Sequence, residues 1–164
     1  GFTRGAFYSN FESMDELFLT LANSVGEARV NTVRERITAM IEANAISECD
    51  PADLVQQVMD SGEDDRLDVM LLSEIRIRAL RDPVFGAAYL AGEREIVASI
   101  TAIISQIVET GQITLRLDAE EAARLRLVVW EGMVVRGAMG GEDTQDLRRA
   151  GSSALGRMVE LMKV

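Results

Sequence analysis

Few residues in this chain could carry out covalent chemistry. There is no histidine, which removes Ser-His and Cys-His catalysis, imidazole–metal sites and the usual proton switch near neutral pH. Cys49 is the single cysteine, so no disulfide closes within the chain, as suits a reducing, cytoplasmic compartment. No nucleophile–base pair and no phosphate-cradling loop is legible. The run Glu63-Asp64-Asp65 reads as a solvated turn and helix start, favoured at the positive end of a helix dipole, with a cation site as the alternative. Glu131 stands at the edge of apolar faces and reads as a rim or interface charge rather than a catalytic acid. The expectation is a protein with no metal, no cofactor and no enzymatic activity.

The remaining polar groups point to binding. Glu74 and Arg78 lie four residues apart on a helical stretch that also carries Leu67, Met70, Leu71, Ile75 and Ile77. Charged groups among apolar neighbours can anchor a ligand in an otherwise hydrophobic pocket; equally, they can form an internal structural ion pair. Trp130, the only tryptophan, shares a helical face with Arg126, Leu127, Met133 and Val134. Met70, Glu74 and Arg78 on one side and Leu127, Trp130 and Met133 on the other are the expected walls of a pocket for a small apolar or amphipathic guest. Eight methionines suit an adaptable pocket, although methionine is also an ordinary core filler.

Helices must position these groups. The chain shows no period-2 strand runs, and its punctuation is that of helix ends. Asp50-Pro51 and Asp82-Pro83 place an N-capping aspartate before a proline suited to the first helical position. Ser13-Met14-Asp15-Glu16 is a capping box, and Asp118-Ala119-Glu120-Glu121 is a looser one. Gly62, Gly111 and Gly140-Gly141 are natural stops. The fold class is therefore all-α, with helices over Thr3–Ser9, Ser13–Ala45, Pro51–Ser61, Asp64–Arg81, Pro83–Thr110, Ala119–Met139 and Asp143–Lys163. The second is long enough to expect a break or kink. The stripe Phe85, Tyr89, Ile96, Ile100, Ile103 and Ile107 reads as core. The longest uninterrupted apolar stretch, Ala87 to Ala91, is far too short for a membrane span.

The net charge is −10 and Lys163 is the only lysine, so bulk charge does not favour DNA. A local surface could still read it. Residues 1–24 run GFTRGAFYSNFESMDELFLTLANS. In order, Gly1 and Phe2 match a turn, Thr3, Arg4 and Gly5 the start of a short helix, Tyr8 and Phe11 an aromatic pair, and Ser13, Asp15, Glu16 and Leu17 the entry to the next helix. This segment resembles the trailing edge of the helix-turn-helix of TetR-family transcriptional regulators. The small residues Thr3, Gly5 and Ala6 permit close approach to the major groove, Arg4 can fork to a guanine edge or phosphate, and Tyr8 can donate to phosphate. Met14 occupies the position where the family has a phosphate-contacting lysine. The resemblance implies that the first half of the motif precedes Gly1.

Residues 1–24 are thus the expected end of a DNA-binding domain, and residues 25–164 a ligand-binding and dimerisation domain. The helix at Ala119–Met139 is apolar nearly all round, which calls for burial on two sides. Val128, Gly132 and Val135 from it, with Leu147, Gly151, Ala154, Leu155 and Met158 from the last helix, are the expected interface of a homodimer built as an intermolecular four-helix bundle. The resemblance implies the same arrangement, and a repressor that a small molecule releases from operator DNA. The alternative is a dimeric helical scaffold or small-molecule carrier without DNA function.

Overall fold

The structure, a computed structural model, describes residues 11–46, 51–59, 65–111 and 113–164. They form six helices: α1 (Met14–Glu42), α2 (Pro51–Met59), α3 (Asp65–Arg81), α4 (Pro83–Glu109), α5 (Ala119–Gly140) and α6 (Thr144–Met162). The expected helix at Thr3–Ser9 lies outside the described residues.

The helix starts follow from side-chain chemistry. Asp82 accepts from the backbone N–H of Val84 and of Phe85, with Pro83 beside it at the first helical position. Asp118 and Asp143 cap α5 and α6 by accepting from Glu121 and Asp146. Ser13 accepts from the Glu16 N–H at 3.1 Å, while the Glu16 carboxylate reaches back past Ser13 to the N–H of Glu12. At the other end of α5, Gly141 takes the left-handed conformation (φ +80°) that closes a helix without Cβ strain.

Contrary to the expected break, α1 is one continuous helix, and it runs unbroken across the boundary drawn at residue 24. Its length is used twice: Ala22 packs in one core cluster with Ile75 and Phe85, and Val30 and Ile37 pack in another with Leu54, Ile100, Ile103 and Ala123. The expected stripe of α4 is core at Phe85, Ile100 and Ile103. A third cluster gathers Val69, Trp130, Val134 and Leu155 from α3, α5 and α6. The chain end folds back: the N–H of Arg116 donates to the Met162 carbonyl at 2.7 Å and that of Val164 to Thr114 at 3.0 Å, clipping the loop between α4 and α5 to the end of α6.

Two expected faces are corrected here. The outward side of α3 is the one carrying Leu67, Met70 and Ile77, all exposed, while Val69 and Ile75 are buried. On α6, Leu147 (0% exposed), Gly151 and Leu155 (3%) are packed inside the chain's own core and offer no surface to a partner. Gly151 is where the Trp130 ring closes on α6: a Cβ there would lie 2.6 Å from the indole.

Candidate ligand cavity and its polar neck

Five helices wall an apolar cavity of about 150 Å³. From one side come Val30, Val33 and Ile37 of α1 with Leu54 and Val58 of α2. Facing them are Ile100, Ile103 and Ile107 of α4, and Met158 and Met162 of α6. Ile113 and Leu115, held by the clipped loop, close one end. β-branched side chains dominate these walls, and their stiff rotamers hinder collapse into the space. Among the described residues, Arg126 is the only charged group lining it.

Arg126 and Val30 also line a second cavity, of about 100 Å³, so the two chambers meet at that pair. This second space is a polar neck. Arg29, Arg76 and Arg126 line it together with Glu93, Glu131 and Tyr89. Arg76 is ion-paired with Glu131, and its Nε donates to the Tyr89 hydroxyl at 3.2 Å. Arg29 pairs with Asp68 at 2.8 Å, tying α1 to α3. The Arg126 guanidinium lies 5.9 Å from the centroid of the Trp130 ring.

Enclosure shapes the protonation of these groups. Desolvation brings the Arg126 pKa down to about 10, the like charge of Arg29 adds to the drop, and Glu131 opposes it. Burial raises the Glu131 carboxyl, with Arg76 acting against the shift and Glu93 with it. Burial also raises the Tyr89 hydroxyl, which Arg76 counters.

Of the six residues expected to bind ligand, Leu127 and Trp130 line the neck. Met70, Glu74, Arg78 and Met133 line neither chamber. Met70 is 57% exposed and Glu74 is exposed, because α3 presents Val69 and Ile75 inward instead. The expected Glu74–Arg78 pair does not form. Arg78 donates to both carboxylate oxygens of Asp15 (3.1 and 2.9 Å) and to Asp82 (3.1 Å), and it lies over the Phe85 ring. The Arg78 guanidinium holds the Asp15 carboxyl below the usual carboxylate range. The contact fastens the start of α1 to the junction of α3 and α4.

Sequence reasoning missed the apolar chamber and the role of Arg126. The signal in the sequence is a lone arginine on the apolar Trp130 face of α5, of the same type as Glu74 and Arg78 on α3.

Thr3, Arg4, Gly5 and Tyr8 lie outside the described residues; Met14 is the first residue of α1 and is exposed. Of the expected interface, Val128 is 68% exposed and Gly132 faces open space, while Val135, Ala154 and Met158 are half-buried. Among the described residues no group of three or more carboxylates could hold a metal ion, and no helix is long and apolar enough to cross a membrane.

No family model matches the chain, and no curated protein matches it in sequence. In three dimensions it is similar to the crystal structure of a TetR transcription regulator from Haloarcula marismortui ATCC 43049, with a TM-score of 0.68 and 14% identity over 99% of this chain and 81% of that one. The chain therefore has the all-α fold of a TetR-type regulator. At that identity the likeness defines architecture, and function has to come from the site.

Proposed function

We propose that this chain is the sensing and dimerising part of a cytoplasmic, ligand-responsive transcription regulator, a repressor whose DNA-reading helix is the Thr3–Ser9 segment. Thr3, Arg4, Gly5, Tyr8 and Met14 would face the operator. Ligand would occupy the apolar chamber and its neck, with Leu127 and Trp130 in the wall. One observation carries the reading. The helix that follows directly on the DNA-reading segment, α1, also contributes Val30, Val33 and Ile37 to the chamber. A guest that wedges α1 away from α4 shifts the helix on which the reading head is mounted. Arg78–Asp15 and Arg29–Asp68 supply two further mechanical links from α3 to α1. A ligand acts through such links only by its differential affinity for the two arrangements.

Homodimerisation would use the outward side of α5, where Val128 and Gly132 leave an apolar, closely approachable surface, together with the half-buried Val135, Ala154 and Met158. Two reading heads related by a twofold axis then match a palindromic operator.

The test is operator binding by the full gene product. DNA from the gene's own upstream region should be bound by the protein alone and released as a chamber-filling guest is titrated in. Protein that binds no such DNA, or binds it identically with the chamber occupied, contradicts the proposal.

A further inference from the structure

We infer that the two chambers together form a site for a small monocarboxylate, with its hydrocarbon or aryl body in the apolar chamber and its carboxylate on the guanidinium fork of Arg126. The inference rests on the ligand-responsive reading above and names the ligand class.

Size sets the body of the guest. A dry, aliphatic-lined cavity of about 150 Å³ holds a molecule the size of benzene, and the chamber has that volume. The guest's apolar part is therefore about six carbons. Among the described residues the walls offer it hydrocarbon and thioether apart from Arg126, so the chamber itself selects for shape and hydrophobicity.

Charge sets the head group. Arg126 stands where the apolar chamber opens into the neck, and lines both. Around that opening the neck is lined by three arginines, Arg29, Arg76 and Arg126, and two glutamates, Glu93 and Glu131. Arg29 and Arg76 each have a carboxylate partner, Asp68 and Glu131, yet the like charge of Arg29 is still felt at Arg126: its pKa is lowered to about 10, first by desolvation and next by Arg29. An incoming anion relieves both effects, whereas a cation would aggravate the second. Guanidinium is also the side chain whose planar donors match a carboxylate in a bidentate pair. Enclosure by Trp130 and by the aliphatic walls strengthens that pair relative to one in water. A neutral alcohol of the same length fills the chamber equally well and forgoes the charge-assisted contact.

The proposal is tested on the full gene product with three probes of one chain length, octanoate, octanol and octylamine, by calorimetric titration and by Trp130 emission. Wild type should bind octanoate about tenfold or more tighter than octanol, as one charge-assisted contact implies, and octylamine weakest. Arg126→Gln and Arg126→Leu should bring octanoate down to the octanol level and leave octanol unchanged, with Arg126→Lys retaining part of the preference. Octanol binding as tightly as octanoate in wild type overturns the inference, and this comparison needs no variant. So does an unaltered octanoate preference in Arg126→Leu that has kept its helical circular dichroism. The regulator reading fails separately. If octanoate binds through Arg126 and operator affinity does not change, the ligand class stands and the regulator reading falls. If a neutral apolar compound releases DNA while octanoate does not bind, the reverse holds.

Discussion

The two chambers that meet at Arg126 and Val30 differ in size by only about 50 Å³, from about 150 to about 100 Å³, yet they do opposite work. The first is built from stiff aliphatic side chains of five helices, and its occupant experiences little beyond shape. The second sets paired charges, Arg76 with Glu131 and Arg29 with Asp68 beside it, into a wall that is otherwise largely apolar, and these pairs cross from α3 to α5 and to α1. An apolar space holds a guest without specifying its orientation; a few fixed polar groups at one end specify it. Here the paired groups beside Arg126 are also struts between helices, Arg76–Glu131 from α3 to α5 and Arg29–Asp68 from α1 to α3.

The largest effect separates core from interface. Leu155 belongs to the packed cluster around Trp130 and also lines the apolar chamber. Leu155→Asp buries a charge with no designed partner, and the expected outcome is loss of the fold, a destabilisation on the order of 4 kcal/mol or more, seen as lost cooperative urea unfolding. A stable, well-folded monomer from that substitution would instead return Leu155 to a subunit interface.

A smaller effect isolates the neck. Glu131→Gln replaces the carboxylate of the Arg76 pair by a neutral amide of the same size and should change stability by no more than about 1 kcal/mol, the scale of one net hydrogen bond. Its signature is in the pH dependence. Glu131 has a raised pKa in the fold, chiefly through burial, so the folded state holds this proton more tightly than the unfolded chain does. The stabilisation linked to that proton is complete below the unfolded pKa and is lost as pH rises through the raised one. Wild-type stability relative to Glu131→Gln should therefore fall on going from mildly acidic to neutral pH in denaturant titrations. A difference that is flat with pH would place Glu131 in a solvated setting.

The smallest expected effect concerns the outward side of α3. Glu74→Ala should alter stability by less than about 0.5 kcal/mol, as for other surface positions, and leave guest affinity unchanged. Arg78→Ala should also leave guest affinity unchanged, because its guanidinium serves Asp15 and Asp82 rather than a chamber. Weaker calorimetric binding in either variant would restore α3 as a pocket wall.

These outcomes trace what the sequence made legible. Helix ends were readable because each depends on local chemistry: Asp82, Asp118 and Asp143 accept the backbone N–H groups that their spacing from the following residues predicts. The core stripe of α4 was readable because one side of that helix carries most of its large apolar residues. Phase was lost where apolar residues occur on more than one side. In α3, Leu67, Met70 and Ile77 compete with Val69 and Ile75 for the inward position, and only the packing against α4 and α5 chooses between them. In α6, Leu147, Gly151 and Leu155 form as good a dimer stripe as a core stripe until the Trp130 ring is seen closing on Gly151. A cavity is harder still. It is a shortage of side-chain volume where several helices meet, and no single helix records it; Ile100, Ile103 and Ile107 read as core because they line both core and chamber.

The central claim, that occupancy of the apolar chamber controls DNA binding, is tested most directly by operator anisotropy on the full gene product and a chamber-filled variant, Val58→Phe. The variant should bind operator DNA and lose its response to a guest that releases the wild type. If Val58→Phe folds, binds DNA and is released by the same guest at the same concentration, the guest acts elsewhere and the chamber is not the sensor.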